Sequence, residues 1–539
     1  MLAVLFVTAL TQDKPLSAVL SAVVRIEVSA VRPNYVRPWQ TEPLQRRRGT
    51  GFVIEGRRIL TNFHVIEDAV DIRLSRSGDA RRWSARLLQS GADVDLAILG
   101  VDANADEFFA PEVQPIKIAP TLPMLQDPVR VLGFPEGGRT ICVTEGIVSR
   151  IDAKNYRLGL TASLSPGDHL VLQIDAAINS GNSGGPALAA DGHLVGVAFQ
   201  GLDAAQSVGY VIPASVVQTF LTNCLHGGGR YAGVQEVPFR VQRLEATALR
   251  SRLGVPPGTN GVVVTAVSDL MAVTNSSSLL VDDVITSIDG TELGNDYTVL
   301  LRAGERVGAD YLITSKHIGS PTTLGLLRDG RRLAWSGVLG PIPPPIPRTH
   351  GLDASPEWVL ICGFLFAPLT APLVDAVSVE NGGLDSRVHD VYRDAVERKH
   401  GFRRRDLPSP PIVLLDILTH EVNFGYPFGG WRVFKSFNGA NTNQQWSLQR
   451  LYQRWRQAKL SAKPFVELRF TDESRAVLST RECADAEPAI LSRYGIPSVA
   501  APSIMAHAGP RRRLEGSSQA EAPGRSWTRR HRATARKHA

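Results

Sequence analysis

Residues 181–186 read Gly-Asn-Ser-Gly-Gly-Pro and set a serine hydroxyl in a glycine-rich turn. Glycine lets the backbone turn sharply and come close to another chain. The successive N–H groups around Ser183 can then point at one developing oxyanion, as attack by a hydroxyl on a carbonyl group requires. A Gly/Ser/Asn turn without any chemistry explains these residues equally well, so the motif needs support from elsewhere in the chain.

A serine nucleophile needs a general base, and the base needs an acid that orients it. His64 follows the apolar stretch 51–54, and Asp95 opens the apolar run 96–99. Taken alone, His64 could be a core histidine and Asp95 a residue that caps a strand. Along the chain, the order is His64, Asp95, Ser183. This is the order in chymotrypsin-like proteases, and it differs from the order in subtilisins and α/β-hydrolases. Together they predict a catalytic triad of base, orienting acid and nucleophile.

The surroundings of the serine predict two further parts of a site. The backbone N–H groups of Gly181 and Ser183 are the expected oxyanion hole. The expected walls of the specificity pocket are Ile178, Asn179, Phe199, Gln200 and Gly201. None of these side chains is acidic, so we expect cleavage after small or medium apolar residues and not after Lys or Arg.

These segments resemble the HtrA/Deg family of serine proteases, and within it the plant and algal subgroup with two PDZ-like domains. The resemblance covers about residues 20–505. Its matching stretches in the protease part are 50–54, 60–65, 95–99, 133–135, 146–149, 173–186, 194–199 and 209–213. The sequence departs from the family at Phe63, where a small residue is usual. We therefore expect local repacking beside His64.

The resemblance implies an ATP-independent serine endopeptidase that degrades unfolded or damaged proteins. It also implies a homotrimer or a multiple of trimers, with no metal and no cofactor. The chain contains no Gly-x-x-x-x-Gly-Lys-Ser/Thr loop for binding ATP. Tyr35 and Trp39, before the first barrel, are candidates for the contact between subunits. The alternative from another functional class is a non-proteolytic chaperone or PDZ scaffold that keeps the protease fold.

The expected fold is mostly β. Between residues 50 and 211, short β-rich runs alternate with Gly, Pro and Asp, which predicts an all-β barrel or sandwich. With the order of the triad, we expect two antiparallel barrels that share a cleft. His64 and Asp95 would come from the first barrel and Ser183 from the second. A short helix near 213–225 should close this chymotrypsin-like double β-barrel.

Breaks rich in glycine or proline divide the rest of the chain. The predicted organisation is an N-terminal segment 1–20, a trypsin-like serine protease domain 21–226, a PDZ domain 230–340, a Pro-rich linker 341–349, a second, diverged PDZ-like domain 350–505 and a disordered basic tail 506–539. Both PDZ-like domains are expected to be α+β.

In the first PDZ-like domain, Asp282 stands where glycine is usual, and residues 311–313 and 323–327 are expected strands. PDZ domains bind a peptide C-terminus by strand addition, and backbone N–H groups capture its carboxylate. Pro238 lies in the expected capture loop and has no N–H to donate. Pro238 therefore argues against peptide capture by this domain and in favour of an internal docking or regulatory role, and both alternatives stay open.

Charge is uneven along the chain. The net charge is +7, and the tail from Gly509 onward holds nine Lys and Arg against two Glu, so the rest of the chain is neutral. The composition of the tail favours disorder. It is interpreted as a weak anionic contact, as a nuclear or nucleolar address, or as a solvated extension.

The cysteines and the N-terminal residues bear on the compartment. The four cysteines, Cys142, Cys224, Cys362 and Cys483, have no Cys-x-x-Cys spacing, so free thiols in a reducing compartment are expected. Apolar residues 2–10 lack the basic flank and the cleavage site of a signal peptide, so secretion is not expected. No transmembrane helix is expected. The resemblance favours the chloroplast, with the nucleus, nucleolus or mitochondrion as alternatives.

Overall fold

The computed structural model describes residues 19–102, 104–135, 138, 140–156, 167–199, 209–226, 230–268, 278–341, 346–347, 355–380, 390, 410–427, 429–440, 446–461 and 463–506. The predicted basic tail, apart from residue 506, lies outside these residues, as do most of the predicted N-terminal segment and much of the Pro-rich linker.

A closed barrel of antiparallel strands forms the first part of the fold. Its strands are β1 (Val23–Ala30), β2 (Gln45–Ile54), β3 (Arg58–Thr61), β4 (Ala69–Arg76), β5 (Trp83–Gly91) and β6 (Leu96–Val101), with the short helices α1 (Phe63–Ile66) after β3 and α2 (Ala105–Phe108) after β6. The strand order around the barrel is β1-β2-β3-β6-β5-β4. Strand β6, an apolar run in the sequence, is buried along its full length.

A second closed barrel follows. Its strands are β7 (Pro128–Gly133), β8 (Cys142–Lys154), β9 (His169–Ile174), β10 (Pro186–Leu188), β11 (Leu194–Phe199) and β12 (Gly209–Pro213), followed by helix α3 (Ala214–His226). Their order is β10-β11-β12-β9-β8-β7. The predicted double β-barrel is therefore confirmed, and the predicted closing helix is α3.

Residues 230–341, which we call the central unit, carry an antiparallel sheet. The elements are β13 (Phe239–Arg243), α4 (Thr247–Arg252), β14 (Val262–Val267), β15 (Val284–Ile288), β16 (Thr291–Glu292), β17 (Thr298–Arg302), β18 (Glu305–Gly308), α5 (Tyr311–Thr314), β19 (Pro321–Arg328) and β20 (Arg331–Val338). The sheet order is β13-β14-β15-β19-β20, with β16 beside β15, and β17 and β18 form a separate pair.

The central unit corrects one predicted strand and explains one substitution. Residues 311–313, predicted as a strand, begin helix α5, where the N–H groups of Ile313 and Thr314 donate to the Asp310 carbonyl at 2.9 and 3.0 Å. A short apolar run does not distinguish a strand from a buried helical turn by its periodicity. Asp282 has a φ of 72°, a left-handed conformation that glycine adopts readily and Asp tolerates.

Residues 355–506, which we call the C-terminal unit, carry a six-stranded sheet in the order β21-β22-β23-β24-β25-β26. These strands are β21 (Val359–Ile361), β22 (Phe364–Pro368), β23 (Ile412–Ile417), β24 (Arg432–Phe437), β25 (Phe465–Phe470) and β26 (Arg475–Ser479). The helices described in this unit include α6 (Ala371–Glu380), α7 (Leu448–Leu460), α8 (Thr480–Tyr494), α9 (Pro502–Ala506) and a 3-10 turn at Glu421–Asn423.

The expectation of four free thiols is wrong for two of the cysteines. Cys362, in the turn between β21 and β22, forms a disulfide with Cys483 of α8, with a Cα–Cα distance of 4.9 Å. The sequence separation of 121 residues hid the pair from any spacing rule, because packing of a helix on a distant turn brings the thiols together. Cys142 and Cys224 are free.

The units pack against one another. A continuous apolar core joins the second barrel to the central unit. The Arg302 guanidinium donates to the carbonyls of Leu122 and Pro123 at 3.0 and 2.8 Å, which ties β17 to the chain just before the second barrel. No helix in the described part of the chain has the length and apolar character needed to cross a membrane.

The connection between β1 and β2 packs on the C-terminal unit. Tyr35 is 7% exposed and belongs to the apolar core of that unit, and the Trp39 ring lies 5.6 Å from the ring of Trp358. Of the two candidates for a subunit contact, Tyr35 is therefore buried and Trp39 partly buried within the same chain.

Candidate active site

His64 and Asp95 come from neighbouring elements of the first barrel. His64 lies in α1, directly after β3, and Asp95 is the residue before β6. Strands β3 and β6 pair so that Thr61 lies opposite Ala97, which brings the ends of the two strands side by side. Asp95 has a φ of 50°, a left-handed conformation that Asp adopts more readily than most residues.

The Asp95 residue holds the His64 segment through both its side chain and its backbone. The His64 N–H donates to Asp95 Oδ1 at 2.9 Å, and His64 Nδ1 lies 2.8 Å from Asp95 Oδ2. The Asp95 carbonyl accepts from the Phe63 N–H at 3.2 Å and from Asn62 Nδ2 at 2.9 Å. A neutral imidazole that donates through Nδ1 to the carboxylate keeps Nε2 as a proton acceptor.

The environment of His64 favours its charged form. The His64 side chain is 43% exposed, whereas that of Asp95 is 13% exposed. Burial by itself lowers the pKa of His64. The charge of Asp95 and its hydrogen bond together raise this pKa by more than burial lowers it, so the pKa lies above its ordinary value. The pair therefore stabilises the imidazolium that a general base forms when it accepts a proton.

The serine turn depends on glycine at two positions. Ser183 lies before β10 of the second barrel and is 4% exposed. Gly181 and Gly184 have φ values of 96° and 84°, which side chains other than glycine disfavour. A Cβ on Gly184 would lie 2.2 Å from the carbonyl oxygen of Thr50. The backbone of the turn can approach the first barrel this closely only because Gly184 has no side chain.

The backbone N–H groups of this turn fall into two sets. Those of Asn182, Gly184 and Gly185 donate to carbonyl oxygens at distances of 2.8 to 3.0 Å. Within the residues that the structure describes, the N–H groups of Gly181 and Ser183 donate to no protein acceptor. Two donors, one on the serine itself and one two residues before it, are thus available to a ligand oxygen.

The contact between the barrels brings the serine turn beside the His64 segment. The Ser183 carbonyl accepts from the Thr50 N–H at 2.9 Å, and a Cβ on Gly184 would lie 3.1 Å from the backbone nitrogen of Asn62, two residues before His64. Over the described part of the chain, no hydrogen bond joins Ser183 Oγ to the His64 ring, which bonds to Asp95. This bond is often long in substrate-free enzymes and tightens when substrate binds.

Two of the predicted pocket residues lie near the serine on its own loop. Ile178 is half-buried and Asn179 is exposed. A Cβ on Gly209 of β12 would lie 2.8 Å from Ile178 Cγ1, so the Ile178 side chain fills the space that this glycine leaves.

Phe199 of β11 packs in an aromatic cluster whose residues belong to an apolar core that extends into the first barrel. It is 3% exposed, and its ring centroid lies 5.3 Å from that of Tyr156 and 6.2 Å from that of Tyr210. Gln200 and Gly201 fall outside the described residues.

Sequence reasoning assigned no role to two polar residues that contact the site. Asn62 bonds through its side chain to Asp95, 33 positions away, and Thr50 bonds to Gly181, 131 positions away. The only sequence signal was that both lie in the stretches that carry the family resemblance. In the parts of the chain that the structure describes, no group of three or more His, Cys, Asp or Glu could hold a metal ion.

The chain was compared with known proteins. Residues 49–197 match the trypsin-like peptidase domain family, and residues 346–503 match the PDZ domain family. Protease Do-like 2, chloroplastic, of Arabidopsis thaliana is 35% identical over 482 residues, which are 89% of this chain and 74% of that protein. Protease Do-like 4, mitochondrial, of the same plant is 33% identical over 362 residues, 67% of each chain.

Among solved structures, an HtrA-type protease AlgW with decapeptide is 24% identical, has a TM-score of 0.41, and covers 60% of this chain and 98% of its own. The family assignment depends on the sequence relatives, whose similarity extends over most of the chain and across its successive domains. The protein belongs to the HtrA/Deg, or Do-like, family of serine endopeptidases.

Proposed function

We propose that Ser183, His64 and Asp95 perform peptide hydrolysis in this endopeptidase, with the N–H groups of Gly181 and Ser183 as the oxyanion hole. The strongest support is the doubly hydrogen-bonded pair of His64 and Asp95 beside a serine turn. In the described residues, the two N–H groups that the mechanism needs in this turn have no protein acceptor.

In the acylation step, Ser183 Oγ attacks the carbonyl carbon of the scissile peptide while His64 Nε2 accepts the hydroxyl proton. The oxyanion of the tetrahedral intermediate receives hydrogen bonds from Gly181 and Ser183. When the intermediate collapses, the C–N bond breaks and His64 returns the proton to the departing amine. Water then attacks the acyl ester as His64 takes its proton, the carboxylate product leaves, and the Ser183 hydroxyl is restored.

We propose that the specificity pocket, with walls from Ile178, Asn179, Phe199, Gln200 and Gly201, accepts small or medium apolar residues. The Ile178 side chain over Gly209 narrows the space beside the serine loop. Asp175, an acid nearby on the same loop, is exposed, and its Oδ1 accepts from the Ile147 N–H at 2.6 Å. One oxygen of that carboxylate is therefore engaged by a backbone N–H outside the loop.

The proposal is tested by digestion of casein with the purified full chain beside its Ser183→Ala variant. We expect a loss of at least about 10⁴-fold in rate, because the nucleophile is removed. A fluorophosphonate probe should label the wild-type chain and not the variant. No labelling, together with suppression of substrate aggregation, would instead indicate the chaperone alternative.

A peptide library digested by the wild-type chain tests the pocket. Cleavage is expected after residues such as Ala and Val. Strong cleavage after Arg or Lys would reject the pocket assignment and leave the triad assignment in place.

We further propose an ATP-independent homotrimer, or a multiple of trimers, that acts on unfolded or damaged proteins in the chloroplast. The relatives named above as chloroplastic and mitochondrial support an organelle. Light scattering measures the number of subunits in the assembly. Digestion of a globular protein and of its denatured form, both without ATP, measures the preference for unfolded substrates. A fluorescent fusion locates the protein in the cell. The anionic contact proposed for the basic tail concerns residues outside those described.

A further inference from the structure

We infer that Thr50 is a positioning residue for hydrolysis, because its hydroxyl locks the backbone of the serine turn in the form that aims the oxyanion hole. Thr50 belongs to β2 of the first barrel and is fully buried. The inference rests on the proposed function of Ser183 and deepens it, since it concerns how the nucleophile and the oxyanion donors are held.

Every polar atom of Thr50 is engaged at the contact between the two barrels. Its Oγ1 donates to the Gly181 carbonyl at 2.7 Å and accepts from the Phe134 N–H at 2.9 Å. Its backbone N–H donates to the Ser183 carbonyl at 2.9 Å, and its backbone carbonyl accepts from Thr61 Oγ1 at 2.7 Å. One residue of the first barrel therefore bonds to the carbonyl groups on both sides of Asn182.

The direction of the Thr50 hydroxyl follows from these partners. A hydroxyl has one proton to donate. The Phe134 N–H is a donor and occupies a lone pair of Oγ1, so the hydroxyl proton is left for the Gly181 carbonyl. Phe134 follows β7 of the second barrel, so the orientation of the hydroxyl is set by the barrel that carries the serine.

The bond to the Gly181 carbonyl restrains the first glycine of the turn. A peptide group is planar, so the carbonyl of Gly181 and the N–H of Asn182 move together. The Thr50 hydroxyl fixes this plane at one end, and the bond from the Asn182 N–H to the Asn179 carbonyl at 3.0 Å fixes it at the other. The Gly181 N–H belongs to the preceding peptide plane, which meets this one at the Cα of Gly181. Without the hydroxyl, this plane keeps only the bond to Asn179, and Gly181, which has no side chain to restrict it, can turn its own N–H away.

The next peptide plane is fixed in the same way. The Asn182 carbonyl accepts from the Gly185 N–H at 2.9 Å, so the Ser183 N–H, which is trans to that carbonyl, points to the opposite side. The bond from the Thr50 N–H to the Ser183 carbonyl then fixes the third plane. Thr50 thus acts at both ends of the segment that supplies the nucleophile and the two oxyanion donors.

Thr50 also connects this segment to the base. Thr61 is the last residue of β3, three positions before His64, and its hydroxyl bonds to the Thr50 carbonyl. Thr50 therefore links the strand that leads to His64 with the serine turn, and this link helps to set the distance between them.

The test uses the full chain with Thr50→Val, which keeps the shape and the backbone bonds but removes the hydroxyl, and with Thr50→Ser, which keeps the hydroxyl. Thr219→Val is the matched control. The Thr219 side chain is 6% exposed, and its hydroxyl lies 2.8 Å from the Ser315 carbonyl and 3.1 Å from the Ser215 carbonyl, neither of which belongs to the serine turn. Each variant is assayed for kcat, KM, the affinity of a peptide boronate and the melting temperature.

We expect Thr50→Val to lower kcat by about 10- to 100-fold with little change in KM, because the oxyanion donors act on the transition state. Boronate affinity should fall in parallel, since its tetrahedral adduct uses the same donors. Thr50→Ser should stay within about threefold of the wild type, and Thr219→Val should change only the melting temperature.

Wild-type kcat and boronate affinity in Thr50→Val, with a loss of melting temperature like that of Thr219→Val, would overturn the inference and leave the proposed function standing. Should Thr50→Val fail to fold, Thr50→Cys replaces it, because a thiol is a weak donor of similar size. A wild-type kcat in Thr50→Cys would also overturn the inference about Thr50. A wild-type chain without Ser183-dependent hydrolysis would instead remove the proposed function itself.

Discussion

Asp95 orients His64 through two separate contacts and also changes its charge equilibrium. One carboxylate oxygen accepts the backbone N–H of His64 and the other faces its Nδ1. The same carboxylate is the main reason that the pKa of His64 stays above its ordinary value despite the opposing effect of burial. A general base must be neutral to act, so a raised pKa moves the loss of activity on acidification to a higher pH.

Asp95→Asn should therefore have two effects. The acid limb of the plot of kcat/KM against pH should move to lower pH, because the amide removes the negative charge that favours protonated His64. The maximal kcat should fall by about 10⁴-fold, because the amide can hold the imidazole in the wrong tautomer. A pH series of initial rates on a peptide substrate measures both.

Asp93→Asn is a matched control two residues earlier in the chain. Its carboxylate accepts from the Tyr231 hydroxyl at 3.1 Å. This variant should keep the acid limb of the wild type. If Asp95→Asn also kept that limb, Asp95 would not be the group that sets the charge state of His64.

At the scale of the secondary-structure elements, the C-terminal unit is crosslinked where a hairpin turn meets a helix. The disulfide of Cys362 and Cys483 joins the turn between β21 and β22 to α8, and both residues are at least 96% buried, with 4% and 1% exposure. A crosslink that closes a loop of this length restricts the unfolded chain, by about 4 to 5 kcal/mol in the chain-entropy account.

Replacement of both Cys362 and Cys483 by Ala should lower the melting temperature of the C-terminal unit, which tryptophan fluorescence can follow because Trp446 and Trp455 are in its core. Added reductant should lower the melting temperature of the wild type toward that of the double variant. Cys224→Ala, which truncates a free buried cysteine, is the control.

A thiol count provides an independent check of this disulfide. The denatured, unreduced chain should expose two reactive thiols, from Cys142 and Cys224. Four reactive thiols would contradict the crosslink.

At the scale of the whole molecule, a pair of carboxyl groups lies between the second barrel and the central unit. The Asp168 N–H donates to Asp310 Oδ2 at 3.3 Å, and the Thr314 hydroxyl donates to the Asp168 carbonyl at 2.9 Å. Burial raises the pKa of Asp168 to about 6, and the charges of Asp310 and Asp152 add to the effect. Burial also raises the pKa of Asp310, against a hydrogen bond from the Tyr297 hydroxyl.

A carboxyl group whose pKa is higher in the folded state binds more protons folded than unfolded between the two pKa values. Stability contributed by Asp168 should therefore be greatest below about pH 4, its ordinary pKa, and should fall as the pH rises toward about 6. Asp168→Asn removes this penalty. We expect a melting temperature higher by about 2 to 4 °C at pH 8, corresponding to about 1 kcal/mol for a half-buried group, and no gain at pH 4.

The measurement is a set of thermal unfolding curves between pH 4 and pH 8. Asp106→Asn is the control, because that side chain is 96% exposed. Equal shifts in the two variants, or a gain for Asp168→Asn that does not depend on pH, would show that this carboxyl group does not set the pH dependence of the contact between the units.

Much of the barrel architecture could be predicted because its signals are local. Strand β6 is a continuous apolar run. The turn at Ser183 contains Gly181 and Gly184, whose positive φ values other residues disfavour. The apolar run at 311–313 was misassigned because three residues do not reveal a period, and the carbonyl of Asp310 closes a helical turn there. The roles of His64, Asp95 and Ser183 remain predictions that the variants above test.

By itself, the sequence determined that the chain is β-rich, that histidine, aspartate and serine follow one another in the order of a double-barrel protease, and that the serine sits in a glycine turn. These depend on residue types and on neighbours along the chain. Only the tertiary structure decided that Thr50 bonds to Gly181 and that Cys362 pairs with Cys483. The physical reason is distance along the chain: such partners, 131 and 121 positions apart, meet only when barrels and helices pack, and packing leaves no periodic trace in the sequence.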